Sequence, residues 1–136
     1  MIGPLRTVLL IVVLLVLLGL PATGAAVKST PFEVALAAAK ANVETEAGKK
    51  YDKQFGKQFA ERYVDTTVRC TAGATTADLA RFDLLVRVSG TGVPEEVLVQ
   101  PATMVAKCLR EEVRKGKFRS PHRKSYWVRI EMNLKS

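Results

Sequence analysis

Chemically specialised side chains are scarce in this chain. It has one histidine, one tryptophan and two cysteines in 136 residues. One histidine cannot supply a histidine-rich metal centre. There is no glycine-rich phosphate loop, no G-x-S-x-G and no H-E-x-x-H. The adjacent pairs Glu95-Glu96 and Glu111-Glu112 are poor acid/base couples, because neighbours on a strand face opposite sides and neighbours on a helix diverge by about 100°. The expectation is a protein with no catalytic residues, no metal and no cofactor. Acidic residues are also in deficit, 13 against 21 basic ones, for a net charge of +8. The length excludes a two-domain enzyme or a multi-pass membrane protein, since one domain takes about 100–150 residues.

Charge is nearly absent from the first 26 residues. Met1 to Ala26 carries only Arg6, and Val8–Leu20 is an unbroken apolar run. Gly19 and Pro21 follow as helix breakers, with small residues from Ala22 to Ala26 behind them. This is the pattern of a secretory signal peptide over 1–26. The competing reading is an uncleaved N-terminal anchor, because Thr7 to Val27 is uncharged and could just cross a bilayer. Either way the domain, residues 27–136, is expected outside the cytoplasm, periplasmic or secreted if cleaved and facing the periplasm if anchored. Without the leader, 20 basic residues oppose 13 acidic ones, leaving a charge near +7.

Export gives the two cysteines meaning. An even count in an exported chain favours a structural disulfide between Cys70 and Cys108. Free buried thiols and a metal pair are the alternatives, and the latter has only His122 as a nitrogen donor.

The remaining residues read as two helices and then a β-β-α-β unit. Thr30-Pro31-Phe32-Glu33 has the form of a capping box and opens a helix to about Thr45, with Gly48 as its stop. A second helix, about Lys50 to Arg69, carries Tyr51, Phe55, Phe59 and Tyr63 at four-residue intervals, a core stripe. Phe82–Val88 alternates as a strand, Ser89–Gly92 is a turn, and Val93–Gln100 returns as a hairpin. Pro101-Ala102-Thr103 opens a helix to about Lys115, with Val105, Cys108, Leu109 and Val113 inward. A basic turn, Arg119–Ser125, precedes the clearly alternating strand Tyr126–Leu134. A helix of this length, about 21 Å, returns the chain across the sheet. The last strand then pairs antiparallel with the first. The predicted class is α+β, with a three-stranded antiparallel sheet of order 2-1-3.

The segment 82–136 resembles the C-terminal module of TonB-type and TolA-like proteins. The likeness lies in FDLLVRV, the turn SGTG, VPEEVLVQP, the helix ATMVAKCLREEVRKGKF, a proline-containing turn and YWVRIEMNL. Cys108, Leu109, Phe118 and Pro121 particularly resemble cysteine-containing members among exported bacterial proteins. The resemblance implies an envelope setting and a ββαβ fold. Only Ala25–Thr30 separates the leader from the first helix. Fully extended, that reaches about 20 Å, too short for this chain alone to transduce energy across the periplasm.

Two surfaces stand out. Between Lys107 and Lys124 there are eight basic residues against Glu111 and Glu112. Lys107, Arg110, Arg114 and Lys117 share one helical sector, continued by Arg119, His122, Arg123 and Lys124 in the turn. The bland reading is a solvated face. The functional one is attraction to an acidic envelope protein, anionic lipid or polysaccharide, with nucleic acid set aside by the export signal. The second surface is a row of Leu85, Leu98 and Trp127 on the sheet face away from the last helix. Either the N-terminal helices cover it, which would also seat the aromatic stripe, or it is an interface. The expected function is a non-enzymatic exported binding module with a basic face. The alternative is an accessory component of a TonB/Tol-like envelope complex, acting by strand addition at a sheet edge.

Overall fold

The computed structural model of the chain describes Gly24 and residues 27–135. The signal peptide or anchor read from residues 1–26 lies almost wholly outside the described residues. The architecture is α+β: helices α1 (Pro31–Asn42) and α2 (Glu46–Thr71), strands β1 (Phe82–Ser89) and β2 (Pro94–Gln100), helix α3 (Met104–Arg114) and strand β3 (Ser125–Met132). The sheet is antiparallel throughout, in the order β2-β1-β3.

Each helix starts at a threonine. Thr30 and Glu33 form the reciprocal capping box ahead of Pro31. Thr45 accepts from the Gly48 amide, and Thr103 from that of Ala106, satisfying amides that a helix start leaves without partners. Gly48 therefore does not end the first helix. It sits in the first turn of α2, where a Cβ would lie 1.7 Å from the carbonyl oxygen of Asn42. The residue is needed for close approach between consecutive helices, and sequence alone cannot separate that role from a stop.

The sheet is covered on both faces. On one, the stripe Tyr51, Phe55, Phe59 and Tyr63 joins Leu84, Val86, Val88, Leu109, Val113 and Phe118 in the main core. Phe118 stacks on Phe55 at 4.4 Å, and Tyr126 meets Tyr51 edge-on at 4.9 Å. On the other, Ala35 and Ala39 of α1 close over Leu85, with Phe32, Leu36, Leu98 and Trp127 around them. The row Leu85, Leu98 and Trp127 is thus covered rather than open, with Leu85 at 0% exposure. The cover is α1, not the aromatic stripe of α2, which packs on the opposite face. The four aromatics of α2 carry most of the area buried on their face, whereas α1 seals the other with Ala35 and Ala39 flanked by the half-buried Phe32 and Leu36.

Cys70 closes α2 and Cys108 lies on α3. Their sulfurs are at disulfide distance with Cα atoms 5.7 Å apart, linking the helical half to the ββαβ half. The hairpin closes through Ser89, whose hydroxyl accepts from Thr91 and Val93, and through Gly92 at φ 86°. Gly92 also accepts from the Phe118 amide at 2.8 Å.

Candidate binding groove and basic surface

The chain passes from one face of the sheet to the other around the β3 edge, because α1 and α2 are joined by a short turn. That crossing leaves a groove of about 780 Å³ between α2 and the outer edge of β3. Its helical wall is a second four-residue stripe beside the aromatic one: Asp52, Gly56, Ala60, Val64 and Val68. Val64 is 57% exposed and Val68 66%, unusual for valines on one helix face. The floor includes Phe59 and Tyr63, and the strand wall is Arg129–Met132.

The β3 edge supplies hydrogen-bonding groups. The Asn42 side-chain amide donates to the carbonyl of Trp127 at 3.0 Å, so that carbonyl faces away from β1. In an antiparallel pair the outward-facing residues alternate, which places the amides and carbonyls of Arg129 and Glu131 outward too. Among the described residues, no hydrogen bond to those four groups is formed. The other edge, β2, is blunted: Pro94 starts it, Pro101 follows it, and its register shifts opposite Arg87/Val88.

Charges in the groove are mostly paired. Arg129 forks onto Asp83 at 3.0 and 3.1 Å and reaches Glu131 at 2.7 Å, while Glu131 also meets Arg81 at 3.2 Å. Hydrogen bonding to Asp83 raises the Arg129 pKa further. Asp52 differs. Its Oδ1 is buried without a hydrogen-bond partner, and burial pushes its carboxyl up to about 6. Burial also raises the Tyr51 hydroxyl, which donates to the Arg119 carbonyl at 2.8 Å, and the neighbouring Tyr126 hydroxyl.

The basic cluster is divided. Lys107, Arg110 and Arg114 lie on α3, but Glu111 pairs with both Arg110 (3.1 Å) and Arg114 (3.2 Å), and Glu112 holds Lys115. Lys117 is not on that helical sector: α3 ends at Arg114, and the Lys117 carbonyl accepts from Arg62. The turn 117–124 instead packs on α2 between Tyr51 and Arg62. Tyr51 holds the Arg119 carbonyl, and Gln58 accepts from the Arg119 amide at 3.0 Å. Arg123 bonds Asn42 and lies over the Tyr126 ring at 5.3 Å. This docking gathers Lys50 and Lys57 of α2 beside His122 and Arg119. Sequence reasoning missed these lysines because about 60 to 70 residues of chain separate them from the turn. Lys117, Arg119 and Lys124 are exposed, and among the described residues they form no ion pair.

Among the described residues there is no cluster of three or more His, Cys, Asp or Glu placed to hold a metal, and no helix is long and apolar enough to cross a membrane. Comparison with known protein families, curated proteins and solved structures finds no match for this chain.

Proposed function

We propose that this chain is an exported, non-enzymatic interaction module that binds an extended segment of a partner by strand addition along β3. The observation that carries this reading is the pair of outward-facing residues Arg129 and Glu131, opening on the apolar stripe of α2. A strand added to β3 sits about 4.8 Å from it, between the free edge and Val64 and Val68. Main-chain hydrogen bonds supply affinity in such complexes, and alternate side chains supply selectivity. Asn42 closes the edge at Trp127, so pairing begins at Arg129 and is short. This is how an accessory component of a TonB/Tol-like envelope complex would act. Export is supported by the leader pattern and the cysteine pair.

Hydrogen exchange tests the reading. A short peptide alternating valine and threonine should slow exchange of the Arg129 and Glu131 amides and leave the β2 edge unchanged. Unaltered exchange at both amides at saturating peptide would refute strand addition.

A second surface favours an acidic partner, whether protein, anionic lipid or polysaccharide. Its support is the exposed set Lys117, Arg119 and Lys124, which form no ion pair among the described residues. Arg119 lies beside Lys57 and His122 beside Lys50, and Lys57 is partly offset by Glu61 at 3.9 Å. Arg110, Arg114 and Lys115 contribute less, since Glu111 and Glu112 offset them, whereas Lys107 is exposed and, among the described residues, in no such pair.

A further inference from the structure

Asp52 lies in the groove and has no function in the fold that its surroundings explain. Its Oδ1 is one of only two buried side-chain polar atoms without a partner among the described residues. A desolvated acceptor left unsatisfied costs free energy on folding. The other carboxylate of the groove, Glu131, is held by two arginines. Among the described residues Asp52 has no cation within ion-pair distance, and burial is the cause that shifts its carboxyl. The groups around it offer little compensation. Tyr51 is its neighbour on α2, and Tyr126 faces it from β3. Lys40 is on the α1 rim, exposed, and Arg129 is committed to Asp83 and Glu131.

The groove is therefore polarised along α2. It is anionic and unneutralised at Asp52, and apolar and exposed at Val64 and Val68. We propose that it selects a partner segment with a lysine or arginine side chain at the Asp52 end and aliphatic side chains at the Val64–Val68 end. The inference rests on the strand-addition reading and deepens it. Asp52 and Val64 are 12 positions apart on α2, about 18 Å along a helix axis. An extended segment covers that distance in about five residues. The closure of the edge at Trp127 fits this division: main-chain pairing stops near the acidic end, and a long basic side chain reaches past it.

Fluorescence anisotropy with labelled valine–threonine peptides tests the selection. The peptides differ only in a lysine, glutamine or glutamate placed five residues from the central valine, at either end because strand direction is open. The wild-type chain should bind the better lysine peptide about tenfold more tightly than its glutamate counterpart. Asp52→Asn should bring that ratio close to one, and Asp52→Glu should keep most of it, with thermal unfolding confirming that both variants fold. Equal binding of lysine and glutamate peptides by the wild type would overturn the selection and leave strand addition standing. Failure of every peptide to bind would overturn strand addition, and this inference with it.

Discussion

The side-chain amide of Asn42, the last residue of α1, donates to the Trp127 carbonyl at 3.0 Å, while the Asn42 carbonyl lies 3.4 Å from the Tyr126 hydroxyl. One helix end thus takes the place of a neighbouring strand at the start of the β3 edge. It also joins the layer above the sheet to the one below it, because Tyr126 packs on Tyr51 of α2.

Asn42→Ala removes the side-chain bonds to the Trp127 carbonyl and to Arg123 and should therefore lower stability by about 1–2 kcal/mol, the usual net worth of one or two hydrogen bonds. Urea unfolding reads this directly. The same variant frees one more residue of β3, so longer peptides should gain affinity relative to short ones. No change in that ratio would mean that the edge is closed by something else.

Asp52 makes stability depend on pH. Its carboxyl titrates at about 6 folded against an ordinary 3.8, so the folded chain holds the proton more tightly than the unfolded one. Stability is then highest below the ordinary value, falls as pH rises from about 4 to about 6, and stays lower above that. Asp52 is only half-buried, and solvent screening limits the effect to about 1 kcal/mol. Unfolding at about pH 5 and about pH 7.5 should show this slope in the wild type and a flatter one in Asp52→Asn.

Reduction should loosen the union of α2 with α3. A bridge closing 38 residues is worth about 4 kcal/mol in the chain-entropy model. Thermal unfolding with and without a phosphine reductant, and of the double Cys→Ser variant, should show a matching large fall in Tm. A shift of only a degree or two would place the stability in the aromatic core instead.

Two glycines should resist replacement. Gly48→Ala puts a Cβ 1.7 Å from the Asn42 oxygen, and Gly92→Ala puts one 2.0 Å from the Phe118 oxygen at φ 86°. Neither neighbour is a flexible side-chain end, so each change should cost about 2 kcal/mol or more. Gly56→Ala meets open space in the groove and should leave stability level or slightly raised, since alanine is the better helix former.

Charge reversal separates the two surfaces. Lys117→Glu with Arg119→Glu and Lys124→Glu should abolish association with vesicles rich in anionic phospholipid, leaving Tm nearly unchanged because none forms an ion pair among the described residues. Reversal of Arg110 and Arg114 should weaken it less, since Glu111 already offsets both.

Much of the fold was legible in local patterns. Thr30-Pro31-Phe32-Glu33 spells a helix start, Phe82–Val88 and Tyr126–Met132 alternate with the period of a strand, and Ser89–Gly92 can only be a turn. Such features act over a few residues, and sheet order followed because α3 has one sensible way back. The stripe Asp52, Gly56, Ala60, Val64 and Val68 was equally written in the sequence, at the same spacing as the aromatic one. Small residues signal nothing until a partner surface is known.

The sequence by itself determined the elements, the strand order, the cysteine pair's expectation of a bridge and the excess of positive charge. Tertiary structure alone decided that α1 rather than α2 covers Leu85, that the basic turn seats itself on α2 beside Lys50 and Lys57, and that Asp52 faces the open edge of β3. The reason is the range of the forces. Caps and periodicity are set by neighbours in the chain, whereas the face a helix covers depends on competing burial areas between segments far apart in sequence.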